Sequence, residues 1–140
     1  MKTRLALVAG ITIFTLAAAA YAHHPFAAEY DWTKPVTVTG SVNKIEWTNP
    51  HVMLYVDGKE ENGQTKLWTL EMGSPSALTQ AGWSRDTVKQ GDQVTVEGWL
   101  AKTVKDKANV KSVKLSDGRE LSGASSIGNV KQTGAKPTSN

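Results

Sequence analysis

Val36-Thr-Val-Thr-Gly-Ser-Val-Asn-Lys-Ile-Glu-Trp47 is the stretch on which the fold turns. It is rich in β-branched residues and it alternates, the pattern of a strand with one buried face. Its apolar positions are Val36, Val38 and Val42, and they then change parity to Ile45 and Trp47. A flat strand keeps a period of two, so the change requires a bulge or bend near Asn43, with Gly40 easing the curvature. Thr48-Asn49-Pro50 then turns the chain into a second strand, His51 to Asp57. Val52, Leu54 and Val56 share one face of it, and His51, Met53 and Tyr55 share the other. Asp57-Gly58 and Asn62-Gly63 are turn signals that lead to a third strand, Thr65 to Met72.

Further on, one helix is punctuated at both ends. Ser74 is a capping residue, Pro75 suits the first helical position, and Ser76 to Ala81 runs to Gly82, with Trp83 packing after the cap. Lys89-Gln90-Gly91-Asp92 is a turn before a fourth strand, Gln93 to Thr103, in which Val94, Val96 and Leu100 face one way. Lys105 to Asn109 reads as a loop and Val110 to Leu115 as a fifth strand. Asp117-Gly118 turns into a short extension through Leu121. Three strands, a helix and two strands, with a bent first strand, is the order of a five-stranded Greek-key barrel of the oligonucleotide/oligosaccharide-binding (OB) type. The fold expected for residues 36–121 is therefore all-β with one short helix, an OB-like barrel, and a small β-sandwich is the alternative.

The two ends of the chain have other compositions. Lys2 and Arg4 precede an apolar, uncharged run from Leu5 to Ala20, closed by Ala20-Tyr21-Ala22. A positive start, an apolar centre and a small-x-small end make residues 1–22 a secretory signal peptide, cut after Ala22. The run is short for a membrane span, and Gly10, Thr12 and Thr15 dilute it, so no span is expected in the mature chain. The expected location is the periplasm or the medium. Residues 23–35 read as an N-terminal arm. Residues 122–140 are rich in Gly, Ser, Thr and Asn and read as a disordered tail.

The 140-residue chain carries 16 Lys+Arg against 13 Asp+Glu, a net charge of +3. Losing Lys2 and Arg4 with the leader brings that to +1, which disfavours a basic nucleic-acid binder. There is no cysteine. Disulfides, thiol catalysis, thiolate zinc sites and iron–sulfur clusters are excluded with it.

Several strings stand out together: Ala22-His-His-Pro-Phe-Ala-Ala-Glu-Tyr-Asp31, Lys34-Pro-Val36, Glu46-Trp-Thr-Asn-Pro-His51, Gly73-Ser-Pro-Ser-Ala-Leu78, Gly82-Trp83 and Gly91-Asp-Gln-Val-Thr-Val96. With them the chain resembles a family of small exported bacterial proteins that carries a domain-of-unknown-function label. The resemblance spans most of residues 22–121, leaves the tail outside, and implies no particular activity.

The chemistry available centres on the three histidines, His23, His24 and His51. Cleavage after Ala22 makes His23 the first residue, so its α-amine and ring nitrogen can chelate one ion, with His24 or His51 completing the set. Cleavage after Ala20 would leave Tyr21-Ala22-His23, a histidine in third place that binds copper(II) or nickel(II) through amine, backbone nitrogens and imidazole. Nitrogen donors in a tetragonal set suit copper(II), and Met53, two residues from His51 on the same strand face, adds a soft thioether. Small periplasmic OB-like barrels that carry copper(I) use similar residue types, here His51, Met53, Trp68 and Met72, although their closely spaced methionine pair is missing. The plain alternative is a solvated histidine arm, with His51 bonded only to its turn.

A second reading is a metal-free module that binds a glycan, a peptide or an envelope protein. OB barrels bind on the face of their second and third strands, flanked here by Thr48–Pro50 and Lys105–Asn109. Trp47, Tyr55, Trp68 and Trp99 are candidate stacking surfaces, although at least three of the five tryptophans are expected in the core. Lys102, Lys105, Lys107, Lys111 and Lys114 read as a solvated edge resisting strand addition, with a patch for an anionic partner as the alternative. Catalysis is not expected. Glu29, Asp31, Glu46, Asp57 and Glu71 show no pair at a meaningful spacing, and no nucleophile elbow, phosphate loop or HExxH occurs.

Overall fold

The change of parity in the first strand is a bulge. In the computed structural model, which describes residues 26–125, β1 (Tyr30–Glu46) pairs antiparallel with β2 (Met53–Lys59), and the register slips between Val42 and Lys44. Asn43, the extra residue, donates to Asp57 across the slip at 3.1 Å. Gly40 sits where β1 crosses the end of β2, and a Cβ there would collide with the Asp57 carbonyl. A strand bent this way serves two neighbours. Its second half pairs with β2, while its first half pairs with β4 (Gln93–Ala101) through Thr37↔Glu97 and Thr39↔Thr95.

The remaining elements are α1 (Phe26–Glu29), β3 (Thr65–Glu71), α2 (Pro75–Gln80), β5 (Lys107–Leu115) and β6 (Glu120–Ser122). The strand order is β3-β2-β1-β4-β5-β6, and β3 also pairs with β5, in parallel. That pairing closes five strands into a ring. The seam consists of Thr69↔Lys107, Leu70↔Ala108 and Glu71↔Asn109. Strand order, bulge and helix position together define an OB-like barrel, and the sandwich alternative falls on the closure.

The helix is capped as its sequence predicts. Ser74 Oγ accepts from the Ala77 amide, Pro75 opens the first turn, and Gly82 leaves the helix with φ of +91°. Leu78 and Trp83 enter the barrel core with Val52, Leu54, Leu70 and Val110. Burying such side chains stabilises by about 1.5–3 kcal/mol each relative to exposure.

Three boundaries and one edge assignment differ from the sequence-based expectation. The first strand begins at Tyr30, inside the expected arm. Asp31 to Lys34 have no apolar alternation and form an irregularity in the pairing with β4, which is made at Tyr30 and resumes at Pro35. The expected tail starts too early as well. Ser122 belongs to β6, a sixth strand, and Gly123 bonds through its N–H to Lys111 and through its carbonyl to Gly73. Trp83 Nε1 also donates to the Ser122 carbonyl at 2.8 Å. Backbone bonds and close approach by small residues hold this segment, which apolar counting cannot see. Lys107 to Asn109 form the start of β5, not a loop. Nor is β5 an edge, because it pairs with β4, β6 and β3. Lys107 lies against Glu29 and Glu71, and Lys111 bonds to Glu97 at 3.0 Å. The expected leader and the remainder of the expected tail, residues 126–140, lie outside the described residues. Among those described, no helix is long and apolar enough to cross a membrane.

Candidate functional site

Along β3 and β5, Leu70 and Ala108 point into the core, so their neighbours Glu71, Lys107 and Asn109 face outward at the seam. A second layer covers them. Tyr30 and Trp99 are buried, 2% and 5% exposed, but lie outside the barrel core. Phe26 of α1 packs on both, its ring centroid 5.2 Å from Tyr30 and 5.9 Å, edge-on, from Trp99. The short helix α1 thus roofs an aromatic satellite on the outside of the seam.

Glu71 is the hub of the polar groups beneath that roof. The Tyr30 hydroxyl donates to its Oε2 at 2.6 Å, and His51 Nδ1 lies 3.1 Å from its Oε1. Lys107 Nζ is 3.6 Å from Oε2 and makes a second, close bond to Glu29. Burial, then the bond to Glu71, then the charges of Glu71 and Glu29 push the Tyr30 hydroxyl far above its ordinary range, so it remains a donor. At Lys107 burial works to lower the ammonium, but the bond to Glu29 and the charges of Glu29 and Glu71 outweigh it, and its pKa is raised. Of the two ring nitrogens of His51, it is Nδ1 that faces the Glu71 carboxylate, which leaves Nε2 outside that contact.

His51 stands at the mouth of a cleft of about 490 Å³. Phe26, Glu29 and Tyr30 form one wall; Pro50, His51 and Glu71 form another; Ser74 and Ala77 of the α2 N-terminal turn close a third side. The floor is Asn109 and Ser125, each 5% exposed. Asn109 Oδ1 and Ser125 Oγ are the buried side-chain polar atoms that have no hydrogen-bond partner among the described residues. Leaving such an atom unpaired costs about 1–3 kcal/mol. Ser125 is delivered by an uncommon backbone. Ala124 has φ of 52°, and Gly73 permits its approach because a Cβ there would collide with the Ala124 carbonyl.

The residues expected to bind distribute unevenly. His51 lines the cleft. Met53 lies opposite Glu71 on the same outer face, half-buried and outside the cleft. His23 and His24 lie outside the described residues. Among the described residues, no group of three or more His, Cys, Asp or Glu side chains is placed to hold a metal ion. The four aromatic rings do not form one face. Trp47 and Trp68 pack against the barrel core, and Trp99 belongs to the satellite. Tyr55 is on the outer surface, bonded to Glu46 at 3.1 Å with Lys44 Nζ 4.4 Å from its ring centroid. The register sets Trp68 against Val56 and Tyr55 against Thr69, so the two rings project to opposite sides of the wall.

Tyr30, Glu71, Lys107, Asn109 and Ser125 were not foreseen as one site. A signal for them was available. Phe26, Glu29 and Tyr30 come from the first of the motifs quoted above, Pro50 and His51 from the third, and Gly73, Ser74 and Ala77 from the fourth. Motifs far apart in the chain converge on one cleft.

Fold and cleft together define a small OB-like barrel domain with a polar recess outside its seam. Residues 11–110 match the family of unknown function DUF6152, and the chain belongs to that family. No curated protein matches the sequence. Among solved structures, the mitochondrial single-stranded DNA-binding protein Rim1 of S. cerevisiae is similar at 15% identity with a TM-score of 0.47, over 59% of this chain and 93% of its own.

Proposed function

We propose that the protein is an exported, periplasmic binding module that holds copper(II) at its mature N-terminus. His23 supplies its α-amine and imidazole, and His24 and His51 supply imidazoles. The observation that carries this reading is the contact of His51 Nδ1 with Glu71 at 3.1 Å. Metal-binding histidines nearly always donate their second ring N–H to a carboxylate or carbonyl, which fixes ring and tautomer. Glu71 is held in turn by Tyr30 and Lys107, which supports His51 as a ligand that would bind through Nε2.

Proximity along the chain adds support. In the sequence only Pro25 separates His24 from Phe26, and His23 immediately precedes His24. Phe26 and His51 line the same cleft. A nitrogen-rich, thiolate-free donor set favours copper(II), and Met53 stands as a further soft donor. Lys2, Arg4 and the apolar run to Ala22 support export, and the cut after Ala22 frees the amine that the site uses.

Calorimetric titration of processed protein with copper(II) tests the reading. His51→Ala and an N-terminally acetylated form are each expected to lose at least about tenfold in affinity, and Glu71→Gln about 10–100-fold. Equal affinity for wild type, His51→Ala and the acetylated form overturns the site and leaves adventitious chelation.

A further inference from the structure

Trp32, Leu67 and Val104 are the exposed large hydrophobic side chains among the described residues, 54%, 49% and 52% exposed. Strand pairing brings all three to one end of the barrel. Trp32 sits in the irregularity of β1 between the Tyr30↔Ala101 and Pro35↔Trp99 pairs, beside the last residues of β4. Val104 belongs to the loop that leaves β4 after Ala101 and enters β5 at Lys107. Near its start this loop touches the first strand, because the Lys102 amide donates to the Glu29 carbonyl at 2.9 Å. Asp31, held below the usual carboxylate range first by its bonds from Thr33, also feels the charge of Lys102. Near its end the loop touches β3. The Asp106 carbonyl accepts from the Thr69 amide at 2.9 Å, and Lys66 Nζ lies 3.0 Å from the Asp106 carboxylate. Leu67 stands on β3 between those two contacts. A single exposed apolar side chain needs no explanation, but three that converge from separate elements mark a surface.

Charge selects the partner. The carboxylates of the Trp32 segment and of the loop are compensated, Asp31 by Lys34 at 3.7 Å and Asp106 by Lys66. Lys102 and Lys105, on either side of Val104, have no carboxylate partner among the described residues, and Lys102 Nζ bonds to the neutral Ala27 carbonyl. Leu67 pairs across to Asp57, so the positive side is that of Trp32 and Val104. Trp32 is also the central residue of a tight turn, in which Asp31 accepts from the amide and the hydroxyl of Thr33 at 3.0 and 2.6 Å. Indole rings favour the headgroup level of a bilayer, and lysines there keep the ammonium in water while the stem covers apolar surface. We propose that this end of the barrel docks on an anionic lipid surface, with Trp32 and Val104 entering the headgroup region and Lys102 and Lys105 facing the lipid phosphates. The contact is peripheral and involves no span. It requires no copper.

Vesicle co-sedimentation of the full mature chain in chelator tests this. The protein is expected to bind phosphatidylglycerol vesicles saturably, with a blue shift of tryptophan emission, and to bind phosphatidylcholine vesicles far more weakly. Added salt should weaken the binding. Trp32→Ala is expected to abolish the blue shift and to weaken binding at least about tenfold. Lys105→Gln is expected to weaken it about fivefold, the weight of one lysine near an anionic surface. Both side chains are exposed, so neither substitution disturbs the core. No binding to phosphatidylglycerol vesicles, or equal binding to phosphatidylcholine, would overturn the proposal. Wild-type affinity in both variants would overturn it as well, by placing vesicle binding elsewhere in the chain. Because chelator is present throughout, failure here leaves the copper site untouched, and failure of the copper titration leaves this surface untouched.

Discussion

Leu70 and Glu71 are neighbours on β3, as Ala108 and Asn109 are on β5, and each pair divides between two regions with opposite chemistry. Leu70 and Ala108 join an apolar core in which strands and helix fill a closed barrel. Glu71 and Asn109 join the outer layer, where one carboxylate is contacted by a phenol, an imidazole and an ammonium. Both unpartnered buried side-chain atoms found among the described residues belong to that outer layer, and neither to the core. The core is finished by folding, whereas the outer layer keeps hydrogen-bonding capacity in reserve. A period of two lets one strand serve both, because a single residue step exchanges one region for the other.

Three substitutions sharpen this contrast. Leu54 is fully buried in the core, and Leu54→Ala is expected to lower unfolding free energy by about 2–5 kcal/mol in denaturant titrations. Copper(II) affinity of the remaining folded protein should stay at the wild-type value; a parallel loss of affinity would mean that the two regions are not separable. Tyr30→Phe removes one donor to Glu71 while keeping the ring beneath Phe26. Its expected cost is about 1.5–3 kcal/mol, in the range for hydrogen bonds to charged groups. A cost near zero would show that Lys107 and solvent replace the phenol.

The smallest effect concerns alkaline pH. Tyr30 and Lys107 both have raised folded-state values, so each binds its proton more tightly folded than unfolded. Their stabilisation is fully present below the unfolded values of about 10 and 10.4 and is lost as pH rises past them toward the folded ones. Lys107→Met is expected to flatten the fall in stability above about pH 10. An unchanged slope would place the alkaline loss elsewhere.

Where side-chain pattern governs, the sequence was readable. The change of parity between Val42 and Ile45 located the bulge, and Ser74, Pro75 and Gly82 located the helix. Where backbone or distant pairing governs, it was not. Asp31 to Lys34 have no apolar rhythm and form the irregularity between two β4 pairings, Tyr30↔Ala101 and Pro35↔Trp99. Gly123 and Ser125 look like tail composition, yet Gly123 fits because small residues let two backbones meet. The cleft was the least legible part. Glu71 and Lys107 are distant along the chain, and only the parallel register at the seam brings their side chains together. The rings failed as a face for a related reason, since Tyr55 and Trp68 look alike in composition and differ in the side of the wall they occupy.

Only three residue pairs join β3 to β5, and two of the outward residues there, Glu71 and Asn109, also line the cleft. The recess therefore takes part of its lining from the closed ring. Anything bound in it acts as a latch on the barrel, lending the seam its own binding energy. Amide exchange at Thr69 to Glu71 and Lys107 to Asn109 should slow on binding, before any change is visible on the far side of the barrel. Occupancy and closure are then coupled, each favouring the other.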